Sequence, residues 1–506
     1  MCAGMFMAIL DIQVVATSLP TIQRALGIAP DQMIWIQTAY LTAEIVAIPL
    51  TGYLTGLLGM RWLFVAAIAV FTIASAGCAE AQGFHALIAW RVVQGFAGGT
   101  LIPSVFSSVF LLIPERRQGL ATTIAGVAAV LAPTVGPIVG GWLTQTWSWH
   151  WLFRINIVPG IVAMLGGVFA LRCEQAQRRA PRSIDVLALL ALAVGLTALE
   201  LGLKNAPRLG WGAPGVIALL TAFAACAVFF VAQTMRARHP LVELRCFANR
   251  NFTLGCVLSF VLGIALFGST YLMPFFLGLV RDYGALRIGE IMLVTGISQL
   301  LSAPLAVMLE RRIDPRLVTF LGFALFTTGL LLSARQTGQT SAADMALPQI
   351  LRGSAIMFCL LAPTRWALGQ LAQARVADAS GLFNLMRNLG GAVGLALIDT
   401  TIFSRAPVHA ARIAAQLRAG NVATAVSIGI PRDAFVEQLG QPADDFTTEM
   451  VRPLVEKAAL VQAIDDAWLV IGMLTALALV LVMFVRHTRP KAGVEAVKEE
   501  IAAILS

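Results

Sequence analysis

The chain has 506 residues, of which 58% are hydrophobic and only 12% charged, with a mean hydropathy of +0.81. An ordinary soluble domain carries about 25% charged residues, so the composition excludes a soluble enzyme or a soluble binding module. A net charge of +9 points to nucleic acid only in a soluble chain, and here its placement reads as membrane topology.

Apolar stretches long enough to cross a hydrocarbon core of about 30 Å as helices fall at roughly 1–19, 33–57, 62–81, 86–113, 119–142, 151–171, 184–203, 213–235, 252–280, 288–309, 317–333, 345–371, 382–404 and 467–485. An all-α membrane protein with 14 spans is therefore expected. The apolar start lacks a basic leader and a small-residue cleavage site and holds an acid, Asp11, so it reads as the first span rather than a signal peptide. With both termini cytoplasmic, more than half of the 36 Lys and Arg fall in cytoplasmic segments. They cluster at Arg116 and Arg117; at Arg172, Arg178, Arg179 and Arg182; at Arg236, Arg238 and Arg245; and at Arg311, Arg312 and Arg316. The external segment 405–466 contains helix-like stretches separated by Gly and Pro. It is expected to form short amphipathic helices, as a solvated connector or as a docking surface. The tail 486–506 includes VEAVKEEIAAIL, which reads as an amphipathic helix on the cytoplasmic surface. The seven cysteines are scattered singly, so neither a disulfide framework nor a metal site is indicated.

An internal repeat is visible. PLTGYLTGLLGMR, from Pro49 to Arg61, and PLAVMLERRIDPR, from Pro304 to Arg316, share Pro, Leu, Leu and Arg at the same offsets. A looser echo relates Arg91 and Pro103 of span 4 to Arg352 and Pro363 of span 12. Both matches pair spans 1–6 with spans 9–14, the parallel-repeat plan of a rocker-type transporter. The expected division is an N-terminal six-helix bundle at 1–183, two inserted spans at 184–251, a C-terminal six-helix bundle at 252–485 including the loop 405–466, and a tail at 486–506.

Ionisable groups inside spans cost several kcal/mol unless paired or hydrated, so they are functional candidates. Asp11 in span 1 and Arg91 in span 4 sit at similar depth. Their pairing, released by protonation of the acid, is a candidate device for coupling proton uptake to a conformational switch, against the plainer reading of a structural ion pair. Glu44 in span 2 lies near the midplane, where it carries a proton, meets a cationic substrate or bonds a neighbouring helix. Arg365 in span 12 is a second midplane charge, a candidate for the cavity. Glu200 and Asp399 lie near external span ends, where hydration explains them. Gly126, Pro133, Gly136, Pro137, Gly140 and Gly141 fall mostly on one face of span 5, as a kinked, closely packed helix requires. Span 13 similarly combines Gly390, Gly391 and Gly394 with Arg387, and span 4 combines Gln94, Gly95, Gly98 and Gly99. Trp35, Trp62, Trp142, Trp147, Trp149, Trp151, Trp211 and Trp468 lie near span ends as an aromatic belt would. No nucleotide-binding loop, metal motif or nucleophile constellation is present. No metal ion and no cofactor are therefore expected, and ATP-driven transport within this chain is disfavoured.

With these residues assembled, the chain resembles the major facilitator superfamily, and within it the fourteen-helix drug:proton antiporter branch of EmrB/QacA type. LDIQVVATSLP, residues 10–20, is similar to that branch's span 1 signature and places its membrane-embedded acid at Asp11. WRVVQGFAGG, residues 90–99, resembles the span 4 motif with its arginine at Arg91, followed by Gln94 and Gly95. GPIVGGW, residues 136–142, resembles the span 5 antiporter motif, and WHWLFRINIVPG, residues 149–160, the start of span 6. SGLFNLMRNLGGAVG, residues 380–394, with Asn384, Arg387, Gly390 and Gly391, resembles the span 13 signature. The loop after span 2 departs from the superfamily motif. It keeps Gly52, Gly59 and Arg61 but has Gly56 and Leu57 where an acid and a base stand, which puts a charge-based latch in doubt. The segment before Asp11 is shorter than in that branch, implying an upstream start or a minimal first span.

The resemblance implies a major facilitator fold, two six-helix bundles plus two inserted helices. It also implies export of amphipathic or cationic toxic compounds across the cytoplasmic (inner) membrane, driven by inward proton movement. The implied partners are small amphipathic substrates, protons and lipid, with a periplasmic adaptor and an outer-membrane channel in double-membrane bacteria, and no nucleic acid. A dedicated exporter of one metabolite, such as a siderophore, fatty acid or antibiotic, is the alternative. A non-transporting membrane receptor or scaffold is the remote one.

Overall fold

The computed structural model describes residues 1–28, 30–171, 185–237, 240, 242–369, 371, 373–431 and 445–485. Arg172, Arg178, Arg179, Arg182, Arg238 and the tail helix expected within 486–506 lie outside them. The described residues form helices and no strands. These are α1 (Cys2–Leu26), α2 (Pro30–Leu58), α3 (Met60–Ala79), α4 (Phe84–Leu112), α5 (Glu115–Thr146), the short α6 (Trp151–Arg154) and α7 (Ile157–Ala170). Next come α8 (Val186–Leu209) and α9 (Pro214–Arg236), then α10 (Arg250–Leu279), α11 (Ala285–Arg312), α12 (Pro315–Ser333), α13 (Ala346–Leu368), α14 (Gln373–Arg418), α15 (Val422–Ser427) and α16 (Asp445–Met483).

Local chemistry sets several of these limits. Gly27, at φ 61°, ends α1 in a left-handed conformation. Asp185 caps α8 by accepting from the Ala188 N–H at 3.0 Å, and Asp314 caps α12 just before Pro315. Among the described residues twelve helices are long and apolar enough to cross a membrane. Helix α5, bent by 42° between Leu120–Pro133 and Val135–Thr146, makes a thirteenth, and α1 supplies a shorter apolar helix, Cys2–Ala16. The chain is a multi-pass membrane protein.

Helix pairings repeat across the molecule. In the first half α2 packs on α4, α3 on α4, α3 on α7 and α1 on α5. In the second α11 packs on α13, α12 on α13, α12 on α16 and α10 on α14. The halves meet where α2 lies on α14 and α5 on α11, again one pairing used twice. Helices α8 and α9 pack on each other, and α8 also touches α14 and α2, whereas α9 turns Val228, Phe229 and Met235 outward. Close crossing needs small residues: a Cβ on Gly95 would run into the Tyr40 carbonyl of α2, and one on Gly390 into the Phe260 carbonyl of α10.

The segment 405–466 differs from the expected set of short helices. Helix α14 continues to Arg418 over 46 residues, about 69 Å at 1.5 Å per residue, and α16 runs 39 residues from Asp445. Both outrun a hydrocarbon core of about 30 Å. The physical reason is that Ile413, Leu417, Val455 and Ala459 keep a helical apolar spacing past the membrane and bury one another with Ala425 of α15. Among the described residues of this segment, α15, six residues long, is the one short helix of the expected kind. The aromatic belt is partial. Trp35, Trp62, Trp142, Trp147 and Trp211 are exposed, but Trp149 and Trp468 are buried in the interior.

Candidate functional site

Among the described residues, two clusters of interior polar groups stand out. The first lies inside the N-terminal half, where Asp11, Arg91, Gln94 and Asn156 are all at most 2% exposed. Arg91 Nη1 donates to Asp11 Oδ2 as an ion pair. Gln94 Nε2 donates to Asp11 Oδ1 at 3.0 Å, and Asn156 Nδ2 donates to the same oxygen at 2.8 Å. Arg91 is held in turn by the Ile36 carbonyl, which accepts from Nε at 3.1 Å, and by Gln94 Oε1 at 2.8 Å from Nη1. Its guanidinium lies 4.2 Å from the centre of the Tyr40 ring, a cation–π contact strengthened by the dry surroundings. The Tyr40 hydroxyl donates to the Ala8 carbonyl, and Gln94 also donates to Ser75 Oγ at 2.8 Å. Asp11 is thus the focus of groups from α1, α2, α3, α4 and the start of α7. Removing its negative charge would leave Arg91 buried without a counter-charge, which is costly in this setting.

The second centre is a cavity of about 170 Å³ between the halves. Ile9, Ile12 and Gln13 of α1 line it, so α1 presents one face to the cavity and carries Asp11 on the other. The walls are mainly apolar, with two acids, Glu44 of α2 and Glu200 of α8, and two bases, Arg352 of α13 and Arg387 of α14. Among the described residues neither acid has a hydrogen-bond partner or an ion pair within 4.0 Å. Arg387 donates to Asn384 Oδ1, and Asn384 Nδ2 donates to the Ser380 carbonyl at 2.8 Å. Arg352 lies 4.7 Å from the Trp468 ring centre, and its Nη1 has no hydrogen-bond partner among the described residues. Arg352 and Met273 also line a second, polar pocket of about 380 Å³ between the end of α12 and the start of α13.

The expected span 5 residues border both units. Pro133 lines the cavity, Gly126 packs on Leu360 and Met357 of α13, and Gly136 packs against Gln13 of α1. The Gly140 carbonyl accepts from Thr144 Oγ1 at 2.7 Å. Nearer the other end of the halves' interface, Gly52 lies against Asp378 of α14, and Ser380 Oγ donates to the Pro103 carbonyl of α4 at 3.1 Å. Gly59 starts α3 at φ 78°, and Arg61 ties α3 to the Val168 carbonyl of α7.

The sequence model described as the Major Facilitator Superfamily matches residues 1–395. The chain belongs to the major facilitator superfamily. It is 38% identical to the colistin resistance protein EmrB of Acinetobacter baumannii over 82% of this chain and 81% of that one. It is 31% identical to the fatty acid resistance protein FarB of Neisseria gonorrhoeae over 81% of each. It is 28% identical to the multidrug export protein EmrB of Escherichia coli over 96% of this chain and 94% of that one. The crystal structure of the human organic anion transporter TETRAN shares the fold at a TM-score of 0.60 and 14% identity, covering 94% of this chain and 97% of that one.

Within this superfamily member the structure corrects one expected charge. Arg365 does not line the central cavity; it sits in the last turn of α13 and pairs at 3.2 Å with the buried Glu310 of α11. The reason is depth, because α13 ends at Leu368, three residues on, rather than continuing past it. The cavity base on α13 is Arg352, whose echo of Arg91 was the available signal. Glu200 likewise faces the cavity rather than bulk solvent. Asn156, Ser75 and Tyr40 were not expected in the Asp11 centre. Asn156 lies in the motif that starts span 6, but nothing in its spacing ties it to an acid 145 residues earlier.

Proposed function

We propose that the protein is a proton-coupled antiporter that exports amphipathic or cationic toxic compounds across the cytoplasmic membrane, with both termini cytoplasmic. The observation that carries this reading is the place of Asp11. It sits at the focus of a buried network on one face of α1, while the other face of α1 forms the wall of an apolar-lined cavity. A proton on Asp11 weakens its hold on Arg91, Gln94 and Asn156, and so frees α1 to shift against α4 and α7. That shift is transmitted to the cavity wall, which gives inward proton movement a mechanical consequence at the substrate. Glu44, unpaired in the cavity, is the second candidate carrier or the partner of a cationic substrate. The driving force is the proton gradient, with no bound cofactor required. The name of the Escherichia coli relative, multidrug export protein EmrB, supports the multidrug reading, and that of the Acinetobacter baumannii relative, colistin resistance protein EmrB, supports export of a toxic compound.

Partnership with a periplasmic adaptor and an outer-membrane channel belongs to the same proposal. The rods of α14 and α16, continuing past the apolar layer, offer the extended surface such a partner would grip. A second reading, dedicated export of one carboxylate-bearing compound, is favoured by Arg352, a buried guanidinium in the cavity wall without an acid beside it, and by the name of the FarB relative.

The test is accumulation of a fluorescent lipophilic cation in efflux-deficient cells. Wild type is expected to keep the dye out, a protonophore to abolish this, and Asp11→Asn to fail at normal membrane levels. Unimpaired exclusion by Asp11→Asn would move coupling away from this centre. Protection against one carboxylate alone would favour the dedicated exporter.

A further inference from the structure

The inserted helices carry a feature that the antiporter reading does not use. Helix α9 has no charged residue before Arg236, its last, whereas α8 has three, Glu200, Lys204 and Arg208, spaced four apart in its second half. Four residues advance the helix by about 6 Å and return to nearly the same face. The three form a stripe that begins in the central cavity at Glu200 and reaches exposed Arg208 at the helix end. The rest of α8 carries no charge and only Thr197 and Asn205 as polar side chains, so the charged stripe is confined to that half of the helix.

The stripe has matching chemistry opposite. From α14, Asp399 lies within electrostatic reach of Lys204 and Arg208. Tyr271 of α10 donates its hydroxyl to Asp399 Oδ1 at 2.9 Å. At the outer end Trp211 Nε1 donates to Thr400 Oγ1 of α14 at 3.0 Å and pins the seam. At the inner end the charged groups around the cavity are Glu44 of α2, Arg352 of α13 and Arg387 of α14. No ion pair within 4.0 Å joins Glu200 to any described residue, so it is not an orienting salt bridge between two helices. Lys204, one turn on along α8, lies within its electrostatic reach. A carboxylate at this depth with no ion pair to another helix is costly to keep and is a candidate for charge exchange.

We propose that Glu200 is a second proton-carrying carboxylate of the transport cavity, supplied by the inserted helix α8 and reached from the external side along the α8–α14 seam. This rests on the antiporter reading. A proton leaves external water in the seam, adds to a Glu200 carboxylate oxygen, and leaves that oxygen towards the cytoplasmic side once the cavity opens inward. The inserted pair thereby supplies a coupling group that neither six-helix half contains.

Purified transporter in proteoliposomes, with ethidium as the probe, separates the possibilities. Uptake driven by an imposed pH gradient requires net proton movement, whereas exchange of ethidium for ethidium without a gradient requires only the cavity and its alternation. Glu200→Gln is expected to lower driven uptake by a factor at least tenfold greater than any loss of exchange, and Glu200→Asp to restore driven uptake. The retained exchange also shows that the variant is folded. Driven uptake that survives Glu200→Gln overturns the proposal. So does exchange that falls with it, since that makes Glu200 a substrate-binding or packing residue. A wild type that exchanges ethidium but never accumulates it against the gradient sinks the antiporter reading itself, a result distinct from either.

Discussion

At the residue scale, packing decides what each small side chain is for. Gly95 and Gly166 are both helical glycines, yet a Cβ on Gly95 strikes the Tyr40 carbonyl, while nothing lies within 4 Å of one on Gly166. Gly95→Ala must therefore part α4 from α2 and is expected to cost about 1–3 kcal/mol, as overpacking does. Gly166→Ala gains helix propensity and is expected to be neutral or stabilising by up to about 1 kcal/mol. Unfolding of the purified protein in mixed detergent checks the pair, and equal effects would contradict the close crossing. Asn156→Ala removes one donor from a fully buried acid, and its expected cost of about 1–3 kcal/mol should appear in the same assay. Asp11, Arg91 and Gln94 were legible because charged and amide side chains in apolar spans stand out. Asn156 and Tyr40 were not, because a polar residue near a span end has many partners available and only the fold selects one.

At the element scale, hydropathy marks where the membrane ends and says little about where a helix ends. That is why spans 13 and 14 were legible but their continuation as α14 and α16 was not. The two rods are joined near the boundary by Asp466 of α16, which accepts from Arg405 Nε at 2.9 Å and pairs with His409 Nε2 at 2.7 Å, both on α14. Asp466 is 30% exposed, so the pin is worth only about 1 kcal/mol. Asp466→Ala is expected to raise local opening of the hairpin about fivefold. Cleavage by trypsin after Arg418, the last residue of α14, should accelerate accordingly. An unchanged rate would mean that Asp466 does not hold the rods together. The bend in α5 was more accessible, since Pro133 and Pro137 inside one apolar stretch announce it.

At the scale of the whole molecule, the repeat governs packing but not charge. Each pairing in one half has its counterpart in the other, and Arg91 echoes Arg352. Yet α10, the counterpart of α1, carries no charged residue after Arg250, its first. Arg91 therefore meets a carboxylate, and Arg352 meets an aromatic ring and the cavity. The repeat made this architecture readable from two short matches. The asymmetry emerged only when the helices were assembled, because a missing partner leaves no motif. On the proposed reading, this asymmetry puts the Asp11 switch in the N-terminal half and the second carrier, Glu200, on the inserted helix α8, while the C-terminal half shapes the cavity. The most direct measurement is proton flux itself, with the transporter reconstituted in vesicles that enclose a pH-sensitive dye, as ethidium is carried in the opposite direction. A proton signal that starts with ethidium movement is expected in the wild type, and none in Asp11→Asn. An equal proton signal in both would contradict the coupling role of Asp11.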